Sequence, residues 1–170
     1  MWQYTGIERP DFADEPKAGQ ESVWDYPRPP VLVSCENLVV VGDQAKPLAS
    51  TKLALRVLET ASPPTYYLPE DCIDWTRLVR AQGGSFCEWK GEATYWSLID
   101  DPSAAPVGWS YAGPSERFFR IDGYVSFYPA RIPCYLDADR VEAQPGEFYG
   151  GWVTRHIAGP VKGGPATGHW

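Results

Sequence analysis

With 170 residues, 44% of them hydrophobic, this chain is one ordinary domain able to bury a core, which excludes wholesale disorder. A formal charge of −7 with no local run of Lys and Arg sets aside nucleic acid and anionic membrane surfaces as partners. Eight Trp, ten Tyr, seventeen Pro and sixteen Gly point to short strands joined by many turns, because rings suit a pleated surface and the breakers leave little room for helices.

Residues 1–30 carry charges, prolines and aromatics without periodicity, and read as an irregular arm. Met1-Trp2-Gln3-Tyr4 has no basic region followed by an apolar run, so a cytoplasmic setting is expected. Val31 to Cys35 and Leu38 to Val41 flank Glu36-Asn37, a hairpin signal. Leu53 to Leu58 alternates, with Leu53, Leu55 and Val57 on one face and Arg56 on the other. After the rigid Ser62-Pro63-Pro64 comes a short strand, Thr65 to Leu68. Asp71 to Arg80 is the one helix candidate, capped by Asp71 or Asp74 and closed by Gly83-Gly84.

Strands are then expected at Ser85 to Lys90 and Ala93 to Leu98, folded around Gly91-Glu92, and at Val107 to Tyr111. Ile121 to Tyr128 alternates most clearly, and Cys134 to Ala143 reads as a hairpin about Asp137-Ala138-Asp139. The β domain thus spans residues 31–143. Residues 144–170, rich in Gly and Pro, read as a strap held by anchors such as Trp152.

Cys35, Cys72, Cys87 and Cys134 are scattered, and the two histidines lie in the tail, so neither a structural metal nor any other cofactor is expected. In a cytosolic protein these thiols are expected to be reduced. Lys162-Gly163-Gly164 lacks the order of a phosphate-binding loop. Asp137-Ala138-Asp139 lies too far from Gly84-Ser85 for a nucleotidyl-transfer site, and suits a turn instead.

Three further segments carry a resemblance. They are Val57-Leu58-Glu59-Thr60 with Pro63 to Asp71; Cys87-Glu88-Trp89-Lys90-Gly91-Glu92-Ala93-Thr94-Tyr95; and Trp109-Ser110-Tyr111 with Ile121 to Tyr128. Together they resemble the domain-of-unknown-function family 427, over about Val31 to Val141. Glu88 stands where that family often has Pro. The resemblance implies a tent-like β fold, similar in topology to methionine-R-sulfoxide reductases. The CxxC zinc pairs of those reductases are missing, so their metal and activity do not carry over. A nucleotidyltransferase label also travels with the family.

The fold expected is therefore mainly β, a single tent-like or barrel-like domain with one short helix. Cys87 and Lys90 are the candidate catalytic pair, since an ammonium eases deprotonation of a thiol. A regular strand would point them to opposite faces, so they meet only if the chain turns near Gly91. Tyr66, Tyr67, Trp89, Tyr95 and Trp109 supply rings for a ligand slot, and Arg56 with Glu59 a clamp or ion pair at its mouth. A small-molecule-binding domain, enzymatic or not, is the leading expectation. A protein-interaction module and a nucleotidyltransferase-like or thiol-dependent enzyme are the alternatives.

Overall fold

Side chains alternate across a strand, so a strand buried on both faces must feed two cores, and the central strands of this molecule do so. The computed structural model describes residues 2–170. In chain order its strands begin with β1 (Glu21–Ser22), β2 (Val31–Ser34), β3 (Val39–Gly42), β4 (Pro47–Thr51), β5 (Leu55–Leu58) and β6 (Thr65–Leu68). The long hairpin of β7 (Leu78–Cys87) and β8 (Gly91–Leu98) follows, then β9 (Gly108–Tyr111) and β10 (Val125–Phe127). Short strands complete the chain: β11 (Cys134–Leu136), β12 (Asp139–Arg140), β13 (Glu142–Ala143), β14 (Trp152–Val153) and β15 (Ile157–Ala158).

Seven strands form an antiparallel sheet in the order β2-β5-β6-β10-β9-β8-β7. Four more form a second sheet in the order β12-β11-β3-β4. The second sheet covers one face of the first. Between them lies a core of Val39, Val41, Leu48, Leu136 and Cys134 from the small sheet against Tyr66, Leu68, Val125 and Phe127 from the large one. The opposite face of the large sheet carries Val57, Tyr67, Ala93, Trp109 and Tyr111, closed at one end by Phe118 and Ile121. The large sheet is open, with β2 and β7 as its edges, so the molecule is not a closed barrel.

Several local expectations are corrected. The segment Asp71 to Arg80 is not a helix. Two single 3-10 turns, Glu70–Cys72 and Trp75–Arg77, lead straight into β7, and Asp74 caps only the second by accepting from Thr76 N–H. Gly83-Gly84 does not end a helix. It sits in a bulge of β7 where Ala81, Gln82 and Gly83 oppose Tyr95 alone, and Gly83 takes a φ of +87° that other residues resist. Among the described residues the one helix longer than a single turn is 3-10 as well, Glu116–Ile121.

The apolar runs around Glu36-Asn37 do not pair with each other. β2 joins β5 in the large sheet and β3 joins β4 and β11 in the small one, so the chain crosses between layers there. Leu53 precedes its strand and stands exposed. Ile121 belongs to the 3-10 helix, and Gly123 at a φ of +73° precedes a β10 of only three residues. The hairpin expected over Cys134 to Ala143 is shorter: its turn is Asp137 and Ala138 alone, both at positive φ as a tight two-residue turn requires, while Asp139 is already in β12 and Glu142–Ala143 pair with β14.

The arm and the strap hold each other. β1 pairs in parallel with β15, and fully buried Trp24 donates its indole N–H to Pro160 O at 3.1 Å. Trp152, also fully buried, stacks on Tyr66 at 4.7 Å and donates to Phe127 O at 3.0 Å. These rings dock the strap onto the large sheet.

Candidate functional site

Over the face of the large sheet turned away from the two-sheet core lies a cleft of about 410 Å³. Strand parity builds its floor and walls. Ser85 and Cys87 of β7 pair with Ala93 and Gly91 of β8, which puts both on the side of Tyr95, while Val57, Tyr67, Trp109 and Tyr111 come from β5, β6 and β9. The other wall is the strap, through Gln144, Tyr149, Gly150, Gly151 and Lys162. Gly150 lies flat against Trp109, where any Cβ would overlap the indole ring, and a Cβ on Gly151 would overlap the Gln144 side chain. Gln144 is itself fixed, donating to Lys162 O at 2.7 Å and accepting from Gly151 N–H at 3.0 Å.

Cys87 and Lys90 both line this cleft. Strand β7 ends at Cys87, the turn runs over Glu88, Trp89 and Lys90, and Gly91 at a φ of +96° starts β8. The reversal lies earlier than the Gly91-Glu92 expected from the sequence, and brings Lys90 back over the floor. Ser115 steadies the turn by donating to Trp89 O at 2.6 Å. Lys90 is only 8% exposed, and its ammonium sits 5.3 Å from the Phe118 ring and 5.8 Å from that of Tyr111.

Three phenols of the cleft, Tyr67, Tyr111 and Tyr128, are held protonated. Burial pushes Tyr67 well above the ordinary tyrosine range, against the Trp109 indole N–H that donates to its oxygen at 3.3 Å. Burial, then neighbouring Tyr67 and Cys87, does the same to Tyr111. Tyr128, whose ring lies 4.5 Å from that of Trp109, is pushed up to about 12, first by burial and then by Tyr95. Tyr95 shares a 2.7 Å hydrogen bond with Ser85. The hydroxyls of Tyr67, Tyr111 and Tyr128 thus stand beside the Lys90 and Cys87 side chains.

The sequence-derived residues divide by face. Glu59, Tyr67, Cys87, Trp89, Lys90, Tyr95 and Trp109 line the cleft, while Arg56 and Tyr66 do not. Arg56 and Tyr66 are register partners on the opposite face, where Tyr66 packs in the two-sheet core and Arg56 pairs with Glu21. Glu59 is not Arg56's partner either; it takes Arg28, at 3.1 Å. Sequence reading missed the contribution of Tyr128 and of the strap. The signal for the strap was Gly150-Gly151 directly after Phe148-Tyr149, small residues next to rings, the pattern of backbone pressed onto an aromatic surface.

Another groove, of about 440 Å³, lies beside β12 and is crossed by the exposed Asp139–Arg155 pair at 3.0 Å. It has no aromatic wall, and volume alone does not make it the better site. Asp137 and Asp139 have structural work: Asp137 accepts from Asn37 and from Leu38 N–H, and Asp139 pairs with Arg155. No helix among the described residues is long and apolar enough to cross a membrane.

A family model described as a domain of unknown function (DUF427) matches residues 31–138. The chain belongs to this family. No curated protein matches it at a significant level. The DUF427 segment supplies the sheet face and the Cys87–Lys90 turn, whereas the strap that walls the cleft lies beyond the matched residues.

Proposed function

We propose that this DUF427 domain binds a small organic molecule in the cleft between the large sheet and the strap. The observation that carries this reading is a concave, aromatic-walled space of about 410 Å³ with a buried lysine on its floor. Ligand sites are commonly of this size, mostly apolar, with a few polar groups that fix orientation. Phe86, Phe148 and Tyr149 stand exposed at the mouth and continue its walls, which supports a ligand slot over a flat patch for a protein partner. A cytosolic setting with four reduced thiols is part of the proposal.

A thiol-dependent enzyme is the second reading, favoured by Cys87 and Lys90 on one cleft. A nucleotidyltransferase has less support, because both carboxylates of its only Asp-x-Asp are engaged with structural partners.

The test is metabolite capture. Purified wild type and Ser85→Trp, which fills the cleft from an exposed position, are incubated with a small-molecule extract, washed, and the bound fraction read by mass spectrometry. One or a few compounds held near stoichiometry by the wild type and lost from the variant are expected. The same compounds on both proteins, or none on the wild type, would reject the reading.

A further inference from the structure

Among the described residues three charged side chains are buried: Arg28, Lys90 and Lys162. Two have partners. Arg28 donates to Glu59 at 3.1 Å, to Thr60 O at 2.9 Å and to Tyr4 O at 3.3 Å. Lys162 donates to Trp170 O at 3.1 Å and lies in the fields of Glu59 and Glu88. Lys90 has no carboxylate partner and no hydrogen-bond acceptor among the described residues, only the faces of Phe118 and Tyr111. The Lys90 ammonium keeps contact with solvent in the cleft, and the ring faces beside it are a weaker partner than an opposite charge would be.

The rest of the cleft has the same preference. Tyr67 and Tyr111, kept protonated by burial, carry no negative charge that would compete with an anion for the ammonium. Glu59 is neutralised by Arg28, and Glu88 is exposed at the rim. Lys90 is thus the one buried cation without a polar partner among the described residues, inside an otherwise acidic protein of net charge −7. A phosphate dianion is better matched by an Arg fork or by a helix N-terminus, and neither lines the cleft. A carboxylate matches the one lining ammonium that has no polar partner, since Lys162 is already bonded to Trp170 O. The walls of Trp109, Tyr95 and Trp89 favour a flat body behind it.

We infer that the cleft takes a small, flat carboxylic acid, its carboxylate on the Lys90 ammonium and its body against the rings. This rests on the reading of the cleft as a small-molecule site. It goes further by assigning ligand charge and Lys90 as the residue that selects it. Binding of this kind forms no covalent bond and needs no co-reactant.

Isosteric probes test it. 2-Naphthoate, 2-naphthamide, 2-naphthylmethylamine and 2-naphthyl phosphate are titrated into the full chain by calorimetry, with the Trp109 indole N–H followed by NMR to locate binding. The acid is expected to bind about tenfold to hundredfold more tightly than the amide, as for a charge-assisted hydrogen bond. Lys90→Met should abolish the preference for the acid over the amide, while Lys90→Arg keeps it. Equal affinity of acid and amide for the wild type overturns the inference while the cleft reading survives, and needs no variant to fold. Tighter binding of the phosphate or the amine also overturns it. If no probe binds or moves the Trp109 signal, the cleft reading falls and the inference with it.

Discussion

Of the four thiols, Cys87 alone lines the cleft. The other three are held in their protonated form: burial pushes Cys35 and Cys134 up, and burial followed by Asp71 pushes Cys72 up to about 11. Only the thiolate is nucleophilic, and access adds to this for Cys35 and Cys134, which are buried, whereas Cys72 is half-buried like Cys87. Cys87 should alkylate faster than Cys35, Cys72 and Cys134 in native buffer at neutral pH, as read by peptide mass spectrometry. Lys90→Ala should slow that reaction by removing a nearby positive charge. Equal or slower labelling of Cys87, with no effect of Lys90→Ala, would end the thiol reading and leave binding alone. Much of the site was legible at this scale. The motif from Cys87 to Tyr95 contains a turn that the sequence announces with Gly91, and the turn brings thiol and ammonium to one cleft. Tyr66 and Tyr67 could not both face the cleft, because adjacent strand residues point to opposite sides. Parity also separates Arg56 from Val57, leaving Arg56 and Tyr66 on the other face.

Among the elements, the strap decides whether the sheet face is a cleft or an open surface. It has almost no strand pairing of its own: β14 joins β13 over two residues, and β15 joins β1 over two. Its attachment therefore draws on buried rings, on the close approach of Gly150, and on single backbone hydrogen bonds such as Trp152 N–H to Pro64 O and Lys162 N–H to Ala61 O. Trp152→Ala should destabilise the protein by about 3–5 kcal/mol, the usual cost of deleting a large buried ring, measured by denaturant unfolding. A loss below about 1 kcal/mol would show that the strap is not anchored by this residue. Gly150→Val has a more selective consequence. The new side chain collides with Trp109, so the strap must lift. Proteolysis between Pro145 and Trp152 should accelerate while the far-ultraviolet spectrum stays that of the wild type, and unchanged proteolysis would contradict the packing. Strands such as β6, Thr65–Leu68, are legible in the sequence because their signal is local. The 3-10 turns before β7 are not. Asp74 and the apolar residues after it mimic a helix start, but the strand pairing of Leu78 and Val79 with Leu98 and Ser97 overrides that local preference.

At the scale of the whole molecule, mainly-β character follows from composition, whereas the pairing does not. β3 finds β11 across most of the chain, and β10 is inserted between β6 and β9, contacts no local pattern encodes. One consequence of this long-range burial is measurable. Tyr26, Tyr66, Tyr67, Tyr111 and Tyr128 come from segments distant in sequence, and burial raises each above the ordinary tyrosine value of 10.0, Tyr66 and Tyr128 to about 12. Between pH 10 and the higher values of the folded state, the unfolded chain has lost phenolic protons that the folded chain keeps. The unfolded state therefore binds fewer protons, and stability falls as pH rises. The contribution is fully present below about pH 10 and is lost as pH climbs through 12 and beyond. Tyrosinate absorbance followed during alkaline titration should resolve two phases. Exposed phenols ionise reversibly at once, and the buried set ionises only with the time-dependent loss of tertiary structure seen in the near-ultraviolet. A single reversible step near pH 10 covering all ten tyrosines would mean that these rings are not buried as described, and the floor of the cleft would have to be redrawn.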